Sequence, residues 1–254
     1  MTTGQNSLLN FETELALQPI GFIRSCYKEK FGIPRQPGLV TAAQAKLQLL
    51  PAFSQPEAFK GLEQFSHVWL IFQFHANPSA SWSNTVRPPR LGGNKRLGVF
   101  ATRSTFRPNP LGLSVAGLDK IEFLGQETCL HLRGIDLLDG TPVFDLKPYL
   151  PYADSILGAQ GGFAEQAPTS EWEVGFTPEA QLQCAEKSLQ LGTDIELLIR
   201  QILQQDPRPS YRAQAVDGRI YAMKLYDFDL QWHYKAKLIE VIGLVDLVES
   251  PVKH

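Results

Sequence analysis

Apolar and polar positions alternate with a period of two over much of the first 150 residues. In PIGFIRSCY (Pro19–Tyr27) and again in ETCLHLRGIDLL (Glu127–Leu138) the apolar side chains alternate, while HVWLIFQFH (His67–His75) is nearly continuous. Such runs, broken by Gly/Pro-rich turns, predict short strands. Little here has helical period apart from a short turn after Ser54 (SQPE). A mainly β unit, a compact barrel or sandwich, is expected over residues 17–157.

The pattern then changes. SILGAQGGFAEQAPTS (Ser155–Ser170) has one charge, Glu165, and a Gly-Gly pair, so residues 158–170 are expected to be a linker. Thr177 followed by Pro178 signals a helix start, and Thr193 with Glu196 predicts a capping box. The box precedes Ile195, Leu198, Ile199 and Ile202, one apolar helix stripe, and Pro207 and Pro209 should end that helix near Asp206. From Ile220 to Tyr234 the even positions are mostly apolar, as in a half-buried strand or hairpin. A smaller α+β unit is expected over 171–250.

Composition narrows the class. The 254 residues are 43% hydrophobic and 20% charged, ordinary for a globular chain, and the net charge of -2 rules out a generally basic nucleic-acid coat protein. Cys26, Cys129 and Cys184 are far apart and odd in number, which fits core thiols in a reducing compartment. The histidines and cysteines form no metal spacing, so no metal is expected. There is no basic leader followed by an apolar stretch and no run near the roughly 18 apolar residues that span a bilayer, so a cytoplasmic protein without membrane contact is expected.

Charge is nonetheless segregated. Between Thr85 and Leu118 stand Arg87, Arg90, Lys95, Arg96, Arg103 and Arg107 with no acidic residue. A patch of one sign attracts polyanions, and Arg forks suit phosphate or carboxylate. KEKFGIPRQPGLV (Lys28–Val40) offers a second cationic turn, and Asp139-Gly140 in IDLLDGTPVFDLKPY predicts a hairpin turn. DPRPSYR (Asp206–Arg212) is expected to be an exposed turn presenting Arg208, Tyr211 and Arg212 to phosphate or bases. No G-x-G-x-x-G after a strand, no P-loop and no G-x-S-x-G elbow occurs, which disfavours dinucleotide, P-loop and hydrolase chemistry.

Six stretches are more specific. GFIRSCYKEKFGIPRQPGL, GLEQFSHVWLIFQFH, TVRPPRLGG, GVFATRSTFRPNPLGLS, GIDLLDGTPVFDLKPYLPYAD and QDPRPSYR together closely resemble the bacterial TrmO proteins of the TsaA-like family, in order over about residues 17–245. The resemblance implies a β-barrel methyltransferase unlike the Rossmann type, a homodimer with its cofactor near the subunit interface. It further implies methyl transfer from S-adenosylmethionine to N6 of threonylcarbamoyl-adenosine (t6A) beside the anticodon of threonine tRNA. By similarity the cofactor contacts fall on Pro34, Arg35, Gln36, His75, Ala76, Arg103, Leu113, Arg133, Gly134, Ile135 and Asp136. Arg103 is assigned to a carboxylate or ribose edge, and Asp136 and His75 are the candidates for proton transfer. Arg87, Arg90, Lys95, Arg96, Arg107, Arg208, Tyr211 and Arg212 are assigned to tRNA. A non-catalytic cofactor- and RNA-binding module, or a methyltransferase for another small acceptor, are the alternatives. The expected C-terminal unit separates them: deleting 171–254 should abolish tRNA methylation while largely sparing cofactor binding.

Overall fold

The computed structural model describes residues 15–76, 82–169, 172–208 and 218–247. In chain order the first part comprises β1 (Gly21–Ser25), β2 (Gln44–Leu49), β3 (His67–Gln73), a two-stranded ribbon of β4 (Thr85–Val86) and β5 (Leu97–Gly98), β6 (Leu111–Leu124), β7 (Glu127–Arg133), β8 (Pro142–Pro148) and a short helix α1 (Pro151–Asp154). Six of these strands close into an antiparallel barrel in the order β1-β2-β7-β6-β3-β8. Its interior is filled by alternate side chains: Ile23 on β1, Leu47 on β2, Val68 and Leu70 on β3, Leu130 and Leu132 on β7 and Val143 on β8, all at most 1% exposed. In the first half of β6 the inward positions, Gly112, Ser114 and Ala116, are small. A Cβ at Gly112 would stand 2.2 Å from the Phe72 ring, so only glycine lets that ring lie across the strand.

Asp139-Gly140 forms a turn, with Gly140 at φ +77°, but not the hairpin expected. β7 pairs with β2 and β6, whereas β8 pairs with β3 and β1, so residues 134–141 cross the end of the barrel between strands that are not neighbours. The crossover is pinned to β1. The Asp139 carboxylate accepts the Ser25 N–H (2.9 Å) and pairs with Lys28 Nζ (2.9 Å), the Asp139 N–H donates to the Tyr27 carbonyl (2.9 Å), and Ser25 Oγ donates to the Leu137 carbonyl (2.8 Å).

After residues 155–169, which are almost wholly exposed, the second part contains β9 (Glu173–Phe176), α2 (Pro178–Leu191), α3 (Ile195–Gln204), β10 (Ile220–Leu225), β11 (Phe228–Lys235) and β12 (Leu238–Asp246). Its sheet order is β10-β11-β12-β9, with β9 parallel to β12. Thr177 caps α2 as its sequence predicts, accepting from the Ala180 N–H (3.2 Å). The α3 cap lies one residue later than expected: Asp194 accepts from the Leu197 N–H (2.9 Å), while Glu196 pairs instead with Arg200 one turn on (2.7 Å). The apolar stripe from Ile220 to Tyr234 changes parity at the Tyr226-Asp227 turn. Met223 and Leu225 on β10 share the buried face with Phe228, Leu230, Trp232 and Tyr234 on β11.

The two parts share one continuous buried apolar cluster. The 26–43 connection carries the join: Phe31 stacks on Trp232 (6.1 Å, 8°), and the Tyr226 N–H donates to the Cys26 carbonyl (2.9 Å). Gln201 accepts from the Ala42 N–H (2.9 Å) and donates to Thr41 Oγ1 (2.9 Å). A Cβ at Gly32 would stand 2.1 Å from the Met223 methyl. Removing 171–254 would therefore strip the support from the loop bearing Pro34, Arg35 and Gln36, and cofactor binding would not be spared as the sequence alone suggested. All three cysteines are buried, as expected of core thiols, and burial pushes the Cys26 and Cys184 thiols up to about 12.

Arg208 is not presented to solvent. It is 1% exposed, its Nε and Nη2 donate to the two Asp206 oxygens (2.8 and 2.9 Å), and its guanidinium lies 3.5 Å from the Tyr234 ring centroid and 4.9 Å from that of Trp172. Aromatic faces and a bidentate carboxylate satisfy a planar cation better than water at this concave position does. Tyr211 and Arg212 lie outside the described residues. Replacing Arg208 by Met leaves Asp206 without its cation, with only the Tyr234 hydroxyl (3.0 Å) as side-chain donor, and is expected to cost about 3 kcal/mol, read as a lower urea midpoint with unchanged slope. An unchanged midpoint would contradict the structural role.

Candidate cofactor cleft and nucleic-acid interface

Strand pairing places three long connections at one mouth of the barrel. Residues 26–43 follow the end of β1, residues 74–110 follow the end of β3, and residues 134–141 follow the end of β7. Between them opens a cleft of about 380 Å³, within the ~300–1,000 Å³ range of small-molecule sites. Eight of the residues expected to hold a cofactor line it: Pro34, Arg35, Gln36, His75, Ala76, Arg103, Leu113 and Asp136. Three others lie outside the lining. Arg133 points outward on β7 and pairs with Asp119 (2.7 Å), Ile135 is in the core at 0% exposure, and Gly134, at φ +68°, joins the loops through its backbone, accepting from the Gly38 N–H (2.9 Å) and donating to the Ala43 carbonyl (2.8 Å).

The polar groups of the cleft are set by a few bonds. Arg103 donates to the Gln36 side-chain oxygen, linking the 99–110 loop to the 26–43 loop. Asp136 accepts from the Ser114 hydroxyl, and burial raises its carboxyl to about 6 against the opposing pull of Ser114 and Arg103. Burial instead lowers the His75 pKa, which keeps the imidazole neutral at pH 7. The Thr141 hydroxyl donates to the Leu138 carbonyl (2.7 Å), so its oxygen is left to accept from His75 Nδ1 at 3.3 Å. The Gln73 carbonyl also faces the ring, and the tautomer that donates Nδ1–H to Thr141 leaves His75 Nε2 with its lone pair. Phe72, Phe74, Leu113 and Leu137 supply apolar wall. An anionic carboxylate, a guanidinium, a neutral imidazole and apolar walls together fit a zwitterionic, partly apolar cofactor.

Ser114 and Thr141 were not singled out in the sequence. Ser114 had the signal of a hydroxyl on the inward parity of a strand, between the inward Gly112 and Ala116 and buried at 1% exposure, whereas Thr141, buried at 2%, lies on the crossover where no parity marks it. Thr128, also on an inward position, instead donates to the Ser54 carbonyl (2.7 Å) away from the cleft, so parity alone does not identify the site.

The basic segment lies beside the cleft. Arg87, Arg90, Lys95 and Arg96 are exposed on and around the β4–β5 ribbon, Arg96 donating to Thr85 Oγ1 (2.9 Å) and Arg90 to the Gln166 carbonyl. Arg107 is partly committed to its own loop. Its Nη1 donates to the carbonyls of Val99 (3.3 Å) and Thr102 (2.7 Å), and its guanidinium lies 5.6 Å from the Phe100 ring centroid. Among the described residues there is no cluster of His, Cys, Asp and Glu able to hold a metal, and no helix long and apolar enough to cross a membrane.

A closed six-stranded barrel whose cofactor-sized cleft lies beside a cationic ribbon defines a non-Rossmann barrel of the kind that brings a small molecule to a polyanion. The tRNA-methyltransferase O N-terminal domain matches residues 22–155 and the TrmO C-terminal domain matches residues 169–247, and the chain belongs to this family. An Escherichia coli tRNA (adenine(37)-N6)-methyltransferase is 48% identical over 229 residues, covering 89% of this chain and 96% of that protein. A Pseudomonas aeruginosa protein, whose name assigns it provisionally to the S-adenosylmethionine-dependent methyltransferases, is 51% identical over 230 residues, 90% of this chain and 97% of that one. The crystal structure of TrmO from Pseudomonas aeruginosa superposes with a TM-score of 0.78 at 44% identity, covering 92% of this chain and 99% of that chain.

Ser114 stabilises the ionised form of Asp136, so removing its hydroxyl should raise the carboxyl further. Carboxyl ¹³C titration is expected to place Asp136 near 6 and to show a higher midpoint in Ser114→Ala. A midpoint near 4 in the unaltered protein would mean the carboxyl is solvated.

Proposed function

We propose that this chain transfers the methyl group of S-adenosylmethionine to N6 of the adenosine beside the anticodon of tRNA, and that the acceptor is the threonylcarbamoylated adenosine of threonine tRNA. Family membership supports the methyltransferase reading, and the observation that carries it here is the convergence of Pro34, Gln36, His75, Arg103, Leu113 and Asp136 on one cleft beside the cationic ribbon. When bound, S-adenosylmethionine supplies an electrophilic methyl on a sulfonium centre.

The chain's own groups divide the work. The Asp136 carboxylate accepts hydrogen bonds from the cofactor's hydroxyl or ammonium groups, Arg103 faces its carboxylate or ribose edge, and the apolar walls exclude water so that alignment at near-attack distance dominates. A carbamoylated N6 is a weak nucleophile and must lose its proton. His75 Nε2 is the acceptor of that proton in the tautomer that donates Nδ1–H to Thr141, and burial keeps the ring neutral. Arg87, Arg90, Lys95 and Arg96 track tRNA phosphate, while Arg107 braces the loop that carries Arg103. The 158–170 segment divides a barrel unit over 17–157 from a C-terminal unit over 171–250 that presents the tRNA, and the working form is a homodimer in the cytoplasm. Arg208 supports that C-terminal unit from within.

The test is methyl transfer from labelled S-adenosylmethionine to threonine tRNA with and without the threonylcarbamoyl group, followed by nucleoside mass analysis. Methylation of the pre-modified tRNA alone supports the acceptor assignment, and equal methylation of both contradicts it. Thr141→Val is expected to lower kcat about tenfold or more with little change in cofactor Kd, and Thr141→Ser to restore most of it. Because the Asp136 carboxyl is raised, its charged form is lost as pH falls through about 6, so cofactor affinity should weaken below that pH in the unaltered chain and be flat in Asp136→Asn.

A further inference from the structure

A second cavity, of about 420 Å³, opens on the outside of the barrel and shares Pro37, Arg103 and Leu113 with the cofactor cleft. We propose that this cavity is a stacking subsite for an unpaired nucleobase neighbouring the acceptor adenosine; the inference rests on the tRNA-methyltransferase reading. Its floor comes from the outward parity of β3. Trp69 stands opposite Val115 of β6 and Lys147 of β8, His67 stands opposite Gly117, and the Tyr149 N–H donates to the His67 carbonyl (3.0 Å), which brings its ring beside both.

The rings do not consume one another's faces. Trp69 and Tyr149 have centroids 5.9 Å apart and are tilted by 45°, and His67 meets Tyr149 edge-on at 6.3 Å and 61°, so flat aromatic surface remains for a guest. Cations border the floor on three sides. Arg103 separates it from the cofactor cleft, Lys147 is 64% exposed on the β8 side and pairs with Asp145, and the Arg133 guanidinium, paired with Asp119 (2.7 Å), lies over Gly117, where a Cβ would stand 2.5 Å from Nη1; the one carboxylate in the lining, Asp154, accepts the Leu150 N–H (2.7 Å). Aromatic faces with exposed cations at their border are the chemistry that single-stranded RNA meets, with bases stacking and phosphates exchanging for the surface partners Asp145 and Asp119. The shared wall of Pro37, Arg103 and Leu113 fixes the distance: a base here lies one side chain from the occupant of the cleft. The same placement puts Arg133, which the cofactor lining leaves out, beside the stack with Asp119 as its present partner.

The experiment uses the full-length chain with an RNA stem–loop carrying the anticodon-loop sequence of threonine tRNA, in Trp69→Ala, Trp69→Phe and Tyr149→Ala variants. Titration of the stem–loop is expected to quench tryptophan fluorescence in the unaltered protein and to lose most of that quenching in Trp69→Phe. The Kd for RNA should rise about tenfold in Trp69→Ala and Tyr149→Ala and much less in Trp69→Phe, with the Kd for S-adenosylmethionine unchanged throughout. Unchanged RNA affinity in both alanine variants would overturn the proposal. So would a change of oligomeric state in those variants by light scattering, which would assign the face to a second copy of the chain. Because quenching and RNA affinity are read without turnover, absence of methyl transfer would count against the proposed reaction and not against this subsite.

Discussion

Closing the barrel between β8 and β1 is the constraint on which the site depends. That edge has only two paired positions, Gly21 with Val143 and Phe22 with Pro142, so closure relies on the crossover laid along β1. Asp139 holds the crossover by accepting a backbone N–H and pairing with Lys28, while Ser25 and Gly140 add bonds to the same strand. Since the crossover must pass from β7 to β8 over the open end, the residues between its anchors are carried to the mouth. Asp136 and Thr141 reach the cleft for this reason, and the left-handed glycines Gly134 and Gly140 allow the chain to enter and leave the crossing.

The other walls of the cleft are loops held from outside the barrel. The 26–43 connection is clamped by Trp232, Met223 and Gln201 of the second part, so the C-terminal unit sets the position of Gln36, to which Arg103 is bonded. Arg107 fixes the loop of Arg103 by bonding two of its carbonyls. Cofactor loop, basic loop and C-terminal sheet thus form one chain of contacts.

Several elements were legible in the sequence for a simple physical reason: β1 and β7 bury one face and show it as alternation, while β3, with Trp69 and Ile71 on its outward parity, shows a nearly continuous apolar run. The α2 cap was equally plain, because a Thr-Pro pair is a local signal. β6 was not among the strands named from the sequence, and its alternation is inverted, with Leu111, Leu113 and Val115 facing outward and Gly112, Ser114 and Ala116 inward. Asp139-Gly140 has hairpin chemistry, yet pairing is decided by barrel closure, which no local pattern encodes. Arg208 resembled an exposed cation because its ring partners Trp172 and Tyr234 belong to distant segments. The cofactor positions given by family resemblance converge at Pro34, Gln36, His75, Arg103 and Asp136, whereas the outward Arg133 shows how adjacent strand residues part company by parity.

Chemically, the cleft sets a carboxylate destabilised by burial against a neutral imidazole bonded to a threonine. Each is positioned by a hydroxyl, Ser114 on the inner parity of β6 and Thr141 at the end of the crossover. The central claim is that connections distant in sequence make one cofactor site. Hydrogen exchange with and without S-adenosylmethionine tests it directly. Joint protection of amides in 32–38, 73–76, 102–106 and 134–141, with the β6–β7 hairpin at the far end unchanged, is the predicted result. Protection confined to one of these segments, or appearing at the far hairpin, would contradict it.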